Sequence, residues 1–298
     1  MASRCIAGLR SVALSVPDLD ATARFYVDTW RLERVASSAD AVYLRGTGPA
    51  HHLLSLHAGN RTAIRNVTLQ ARSADALPQI AAASAAAGGT VLQPPSPLDE
   101  PGGGTAVTIA DGDGRIFRVV HGDAAHPPQP DVADRPVRLA HVVLNSHDVA
   151  ASQRFLERVL DFTLSDRTKI MAFLRCNSDH HSLALADADQ DSLNHIAFLM
   201  PDIESVMRGG GRMKDAGHPI EWGPGRHGPG DNAFNYFIDP NGVAIEYTAE
   251  VLQVDDSYVA RGPDDWKWPP GRVDHWGISA PPSARLKEVQ KQIGFVAP

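Results

Sequence analysis

Hydrophobic and polar residues alternate in short runs along most of this chain, and turns containing glycine or proline separate the runs. Such alternation is typical of β-strands that bury one face. Two segments instead place hydrophobic residues at helical spacing behind Asp18 and Asp148, which predicts two helices with aspartate N-caps. Further helices are predicted over 75–89 and 202–218. Each half of the chain therefore predicts a strand, a helix, two or three strands, a second helix and a final pair of strands.

The two halves are related by an internal repeat. Around the first helix, three residues recur at a constant offset of 130: Asp18, Arg24 and Phe25 against Asp148, Arg154 and Phe155. Segment 64–77 then resembles 192–205, and 103–122 resembles 232–250, where DGDG and DPNG predict hairpin turns. Three matches in the same order indicate a duplication.

The duplication predicts an α+β fold of two tandem domains. A stretch rich in proline and polar residues separates the repeats, so we expect a linker over 123–136. The N-terminal domain is expected over 1–122 and the C-terminal domain over 137–250. The last segment, 251–298, has no counterpart in the first half and is expected to be an appended tail.

Composition narrows the class of protein. The 298 residues carry a net charge of −7 without a lysine- or arginine-rich run, which argues against nucleic acid and anionic membranes as partners. No apolar run is long enough to span a membrane, and the N-terminus lacks the apolar region of a signal peptide. Cys5 and Cys176 are far apart and are expected to be free thiols in a reducing compartment. We therefore expect a cytoplasmic protein.

Two histidines and a glutamate of the second half lie in hydrophobic, strand-like runs. His141, His195 and Glu246 would each be costly to bury unless they were paired or bound to a metal. Two imidazoles and one carboxylate form the facial triad of non-haem Fe(II) oxygenases, which leaves the opposite face of the metal open for substrate and O₂. The sequence thus predicts a metal site in the second half.

The repeat provides an internal comparison for this site. At the aligned positions the first half carries Ser11, Val67 and Arg118, none of which is a usual ligand. Residues that only maintained the fold would be of similar type in both halves. We therefore expect the N-terminal domain to be metal-free.

At these residues the chain resembles the type I extradiol catechol dioxygenases of the vicinal oxygen chelate superfamily. The segments FLRCNSDHHSLAL (173–185) and GRHGPGDNAFNYFIDPNGVAIEY (225–247) are similar to the family's catalytic-histidine segment and C-terminal signature. His227, Tyr236 and Glu246 also have the family's spacing. The resemblance implies paired βαβββ modules that form a cupped mixed sheet, the glyoxalase/bleomycin resistance/dioxygenase fold. It also implies Fe(II), with Mn(II) accepted by the same ligands.

The implied function is extradiol ring cleavage in the catabolism of aromatic compounds. Both atoms of O₂ would enter a catecholic substrate, and the ring would open adjacent to the diol. By resemblance, His181 is the acid/base residue, and His227 and Tyr236 donate hydrogen bonds to the reacting oxygens. The family's habit also implies a homo-oligomer.

The neighbouring histidines His180 and His181 cannot both face the cup if they lie on a strand, because successive side chains point to opposite faces. Strand alternation would place His181, Leu183 and Leu185 together inside the cup, with His180 facing away. Should the register be shifted by one residue, His180 would be the base instead.

Further contacts near the substrate are expected from Phe173, His180, Asp231 and His275. Phe173 falls where the family has a pocket-lining aromatic residue, and Asp231 is expected to tether the loop after His227. His275 belongs to the tail segment DDWKWPPGRVDHWG, which would be either a flap over the open side of the cup or a strap on the domain surface.

Two other classes of protein share the implied fold. A metal-free binding protein of the bleomycin-resistance kind would lack the His–His–Glu triad. A metal-dependent isomerase or lyase of the glyoxalase kind would use a metal shell richer in carboxylates. Iron content and O₂ uptake would distinguish these classes from a dioxygenase.

Overall fold

The computed structural model describes residues 3–127, 129–130 and 132–297. Within them, the first half of the chain forms an eight-stranded sheet in the order β2-β3-β4-β1-β5-β8-β7-β6. Its strands are β1 Ile6–Val16, β2 Glu33–Ser37, β3 Ala41–Arg45, β4 Leu54–Ala58, β5 Ala63–Ala71, β6 Thr90–Pro97, β7 Thr105–Ala110 and β8 Ile116–His121. Its helices are α1 Leu19–Arg24, which continues into a π-helical turn over Phe25–Thr29, and α2 Ala76–Ala86.

The second half repeats this architecture in the order β10-β11-β12-β9-β13-β16-β15-β14. Its strands are β9 Arg138–Ser146, β10 Thr163–Arg167, β11 Met171–Arg175, β12 Leu183–Asp187, β13 Leu193–Leu199, β14 Trp222–Arg226, β15 Ala233–Ile238 and β16 Ala244–Ala249. Its helices are α3 Val149–Leu160 and α4 Ile203–Asp215, and the tail adds α5 Ala284–Val289.

Each sheet consists of two βαβββ modules joined side by side. In the second half, β9 pairs parallel with β12 of its own module and antiparallel with β13, the first strand of the next module. β13 in turn pairs parallel with β16. The first half has the same pairings between β1, β4, β5 and β8. The predicted fold class is therefore confirmed.

The predicted N-caps and hairpin turns are also confirmed. Asp18 and Asp148 cap α1 and α3, because each carboxylate accepts a hydrogen bond of 2.9 Å from the backbone N–H three residues later. The two hairpin turns join β7 to β8 and β15 to β16. In each of them a glycine, Gly114 or Gly242, takes the positive φ of 81° that favours this residue.

One hydrophobic core runs through both halves. At its centre Trp30, from the end of the π-helical turn, stacks on Tyr247 of β16 with ring centroids 3.6 Å apart. Tyr26 likewise donates a hydrogen bond of 3.0 Å to the buried Asp239 of the second half. These contacts fix the cup of the second half against the first.

Two further observations concern the cysteines and the helices. Cys5 and Cys176 are both free thiols. Among the described residues, no helix combines the length and the apolar character that crossing a membrane requires.

Candidate active site

Three adjacent strands of the second sheet bring the predicted ligands together. His141 on β9 lies opposite Ala197 of β13, and Ala197 lies opposite Glu246 of β16. His195 is two residues before Ala197 and therefore shares its face of the sheet. The methyl side chain of Ala197 leaves the space between the three larger side chains open.

The ligand atoms converge on one point. Nε2 of His141 is 3.1 Å from Oε2 of Glu246 and 3.3 Å from Nε2 of His195. Nε2 of His195 lies 3.2 Å from the same carboxylate oxygen. Three ligands at right angles around a metal at roughly 2.1 Å lie about 3 Å apart, so this set fits a divalent cation in a facial triad.

Neighbouring groups prepare these residues for a metal. Nδ1–H of His195 donates to Oδ1 of Asn194 at 2.8 Å, which leaves its Nε2 with a free lone pair. Burial lowers the pKa of His195 to about 4, against the opposing effect of Glu246. Burial would raise the pKa of Glu246, but the nearby His141 and His195 hold it well below its usual value. Two imidazoles and one buried carboxylate anion are a donor set suited to Fe(II) or Mn(II).

The structure corrects one step of the comparison between repeats. Val143 pairs with His195 in the second sheet, and its counterpart Ala13 pairs with Asn66 in the first. The residue equivalent to His195 is therefore Asn66, and matching it with Val67 was wrong. A one-residue slip moves a position to the other face of a sheet, and Val67 indeed lies in the hydrophobic core.

In the first half, the three residues equivalent to the triad bind neighbouring side chains of the same half. Asn66 Oδ1 accepts a hydrogen bond of 2.9 Å from Thr68, and Arg118 binds both carboxylate oxygens of Glu100 at 3.0 Å. Ser11 accepts a hydrogen bond of 2.9 Å from Arg10.

The three predicted catalytic residues line one cavity of about 730 Å³ together with His141 and His195. Nε2 of His227 is 3.1 Å from the hydroxyl of Tyr236, which is 3.3 Å from Nε2 of His195. Burial, with Glu246 nearby, raises the pKa of Tyr236 well above its usual value, so the phenol keeps its proton. Burial and the neighbouring His141 and His180 lower the pKa of His181, so its imidazole is neutral.

His181 reaches the cavity for a different reason than strand alternation. β12 begins only at Leu183, so the histidine pair precedes the strand in a loop. Leu183 and Leu185 belong to the main hydrophobic core, whereas Ala184 packs with Phe173 and Val143 beside the cavity. Placing the two leucines inside the cup was therefore wrong, because the alternation does not extend back through the loop.

The other expected substrate contacts divide into two groups. Phe173 lines the cavity, and its ring meets that of His181 edge-on with centroids 5.2 Å apart. His180 is fully buried and does not belong to the cavity wall. Asp231 and His275 also lie outside the wall; both are about half exposed and approach each other at 3.4 Å. Of these four residues, Phe173 alone belongs to the cavity wall.

Sequence reasoning missed Trp222 and the lysines of the cavity wall, and left open whether the tail segment reaches it. Trp222 is there because β14 pairs it with Tyr236, a neighbour that only the strand register reveals. The tail contributes Trp266 and Trp268, and the ring of Trp268 packs against Gly228 of the loop after His227. Three exposed lysines also border the cavity: Lys169, Lys287 and Lys291.

A family model and several known proteins are similar to this chain. A family model described as the Glyoxalase/Bleomycin resistance protein/Dioxygenase superfamily matches residues 138–247, which contain the triad. Metapyrocatechase 2 of Cupriavidus necator is 30% identical over 226 residues, which cover 66% of this chain and 67% of the relative. The manganese-dependent 2,3-dihydroxybiphenyl 1,2-dioxygenase of Geobacillus genomosp. 3 is 24% identical over 260 residues, 79% of this chain and 82% of the relative.

A solved structure is similar over nearly the whole length. The Mn(II)-bound glyoxalase from Novosphingobium aromaticivorans superposes with a TM-score of 0.89 at 35% identity, covering 95% of this chain and 94% of the other. The tandem arrangement of the two halves is therefore shared with that protein.

Proposed function

We propose that this chain, which belongs to the Glyoxalase/Bleomycin resistance protein/Dioxygenase superfamily, is an extradiol ring-cleaving dioxygenase. It inserts both atoms of O₂ into a catecholic substrate and opens the ring next to the diol. The name of the Geobacillus relative describes such a cleavage, with hydroxyls at positions 2 and 3 and scission between 1 and 2. The observation that carries the proposal is the presence of His181, His227 and Tyr236 on the same cavity as the facial triad.

His141, His195 and Glu246 would hold Fe(II), and the same donors accept Mn(II), on which the Geobacillus relative depends. When bound, the metal acts as a Lewis acid that favours the catecholate and brings substrate and O₂ together. Neutral His181 accepts a proton from a catechol hydroxyl and returns it later in the cycle. Tyr236 and His227 donate hydrogen bonds to oxygen atoms that gain negative charge.

The cavity wall favours a substituted or bicyclic catechol. Around the triad the wall is mostly apolar and aromatic, with Val143, Phe173 and Trp222 among its residues. A volume of about 730 Å³ is in the upper part of the range of small-molecule sites. Ring substituents can therefore extend from the triad toward the tail.

The proposal also includes the cellular compartment, the domain that holds the metal and the oligomeric state. Free Cys5 and Cys176 agree with a reducing cytoplasm. We place the metal only in the domain over 137–250, because Ser11, Asn66 and Arg118 occupy the equivalent positions of the first domain. We propose a homo-oligomer by analogy with the family. Light scattering of the purified protein tests this oligomeric state.

An isomerase of the glyoxalase kind is the second candidate, because a glyoxalase is 35% identical over nearly the whole chain. Its chemistry moves protons between adjacent carbons and needs no O₂. Against it, the triad supplies only one carboxylate, and among the described residues the other ionisable groups that approach the triad are His181, His227 and Tyr236.

A panel of catechols tests the proposal. Protein reconstituted anaerobically with Fe(II) or Mn(II) is mixed with monocyclic and bicyclic catechols, with and without air. A dioxygenase forms a yellow ring-opened product only in air. Conversion of a hemithioacetal without O₂, and no reaction with any catechol, would instead support the isomerase.

A further inference from the structure

A buried chain of hydrogen bonds lies behind His181, on the side away from the cavity. Nδ1 of His181 is 3.1 Å from Nδ1 of His180, and Nε2 of His180 is 2.9 Å from Oδ2 of Asp166. Both His180 and Asp166 are fully buried, with 0% of their surface exposed. Neither residue belongs to the cavity wall.

Asp166 is held by donors on every side. Its carboxylate accepts hydrogen bonds from the hydroxyl of Tyr258 at 3.0 Å and from the backbone N–H of Arg261 at 2.9 Å. The guanidinium of Arg261 approaches at 3.2 Å. Burial alone would raise the pKa of Asp166, but the hydrogen bonds from His180 and Arg261 hold it below its usual value. Asp166 is therefore an anion that can only accept hydrogen bonds.

This anion determines where the ring protons lie. Because Asp166 accepts, Nε2 of His180 must carry a proton, and Nδ1 of a neutral His180 is then an acceptor. The hydrogen bond between the two rings consequently requires a proton on Nδ1 of His181. Nε2 of His181 is left with its lone pair, which is the state that a base needs.

The first half of the molecule contains a natural comparison. His51 and His52 repeat the pair, with their Nδ1 atoms 3.0 Å apart. Ala36 occupies the position of Asp166, since Ala36 pairs with Tyr43 just as Asp166 pairs with Phe173. Nε2 of His52 is bound to the guanidinium of Arg10. The histidine pair is thus present in both halves, but within the part of the chain that the structure describes, only the pair beside the triad has a carboxylate hydrogen-bonded to one of its rings.

The tail contributes to this difference between the two histidine pairs. Tyr258 and Arg261 come from 251–298, which has no counterpart in the first half. Arg261 also forms a β-bridge with Asp166. The tail therefore completes the hydrogen bonds of Asp166, besides bordering the cavity.

We propose that Asp166 and His180 are positioning residues that hold His181 in the tautomer with an unprotonated Nε2 facing the cavity. The inference rests on the proposed function, in which His181 transfers protons to and from the catechol. It gives His180, which was expected to face away from the cup, a role through His181.

Asp166→Asn is the sharpest perturbation. The amide has one acceptor oxygen, whereas donors face both oxygens of Asp166: the backbone N–H of Arg261 at Oδ1, and Nε2 of His180 with the guanidinium of Arg261 at Oδ2. When the amide NH₂ faces His180, Nε2 of His180 accepts, its Nδ1 donates, and His181 carries its proton on Nε2. When the amide oxygen faces His180, the tautomer is kept, but the negative charge that favours it is lost. The substitution thus weakens the preference for one tautomer while the shape of the side chain is kept.

The direct test is ¹⁵N NMR of the histidine rings in the holoenzyme loaded with diamagnetic Zn(II). In the wild type we expect Nδ1 of His181 protonated and Nε2 unprotonated, and in Asp166→Asn a larger fraction of His181 with its proton on Nε2. A wild-type His181 with its proton on Nε2 overturns the inference, and this result needs no variant to fold.

The kinetic test uses the Fe(II) enzyme and a catechol that it cleaves. Asp166→Asn and His180→Gln should lower kcat by roughly 10- to 100-fold, the usual effect of removing such an orienting partner. KM and metal content should stay within about twofold, because neither residue touches substrate or metal. His51→Gln, the matched change in the other pair, should leave kcat unchanged, and Asp166→Glu should restore part of it.

The outcomes separate the two proposals. An active wild type whose kcat survives Asp166→Asn removes the positioning role and leaves the dioxygenase intact. A wild type without O₂-dependent turnover removes the dioxygenase, and the NMR result still decides the tautomer. Equal losses in His180→Gln and His51→Gln would show a general effect on folding and would also overturn the positioning role.

Discussion

His195→Ala should remove the metal, and Asn66→Ala should not. The two residues are equivalent in the two sheets and are equally buried, with 5% of the surface of each exposed. His195 supplies one of the three atoms that converge within 3.3 Å, whereas Asn66 binds Thr68. The pair therefore tests whether the metal belongs to the second half alone.

The expected loss of metal affinity follows from the binding energy of one ligand. Four-ligand zinc sites bind with about 10–16 kcal/mol, or about 3 kcal/mol per ligand. Loss of one ligand from the triad should thus weaken metal binding by more than roughly 100-fold. The remaining His141 and Glu246 would still lie 3.1 Å apart, so weak binding should persist at high metal concentration.

The assay is anaerobic titration with Fe(II) or Mn(II) against a competing chelator, followed by metal analysis after gel filtration. Thermal unfolding of each variant shows that it is folded. Equal metal content in His195→Ala and wild type would refute the assignment of the ligands. Equal loss in Asn66→Ala would refute the restriction to the second half.

Three further predictions concern turnover, the tail and the core. His181→Ala should keep its metal and bind catechol while turnover falls by roughly 10²- to 10⁴-fold, and unchanged turnover would exclude it as the acid/base. Replacing both Trp266 and Trp268 with alanine should raise KM for catechols more than it lowers metal content; unchanged kinetics would make the tail a surface strap. Trp30→Ala should lower the free energy of unfolding in urea by about 3–5 kcal/mol, because Trp30 is fully buried and stacked on Tyr247; a loss below about 1 kcal/mol would contradict a shared core.

Features that depend on near neighbours in the chain could be predicted from the sequence. The caps Asp18 and Asp148 and the glycine turns use residues only a few positions apart. The repeat then supplied the architecture, since two copies of one pattern must fold alike. The triad was visible because His141, His195 and Glu246 are ionisable residues inside hydrophobic strands, where burial without a partner is costly.

Features that depend on register could not be predicted in this way. Asn66 and Val67 differ by one position, and only the pairing of β1 with β5 shows which of them faces the cup. The same holds for Trp222, which reaches the cavity through its pairing with Tyr236. Strand alternation failed at His181 because the strand begins two residues later.

Asp166 was beyond sequence reasoning for another reason. Its partners are a loop histidine and two tail residues 92 and 95 positions away, Tyr258 and Arg261. The repeat did carry a signal, because the HH pair recurs at 51–52 while Ala36 stands where the second half has Asp166. A carboxylate in only one copy of a duplicated pair is a sign of specialised chemistry.

The most direct test of the account is to follow a single catechol and O₂ through the reaction. Protein reconstituted with Fe(II) is given a cleavable catechol under ¹⁸O₂, and O₂ uptake, product mass and absorbance are measured together. The account predicts one O₂ consumed per catechol, two ¹⁸O atoms in the initial product and a yellow ring-opened chromophore. Catechol oxidised without ring opening, or substrate converted with no O₂ consumed, would contradict it.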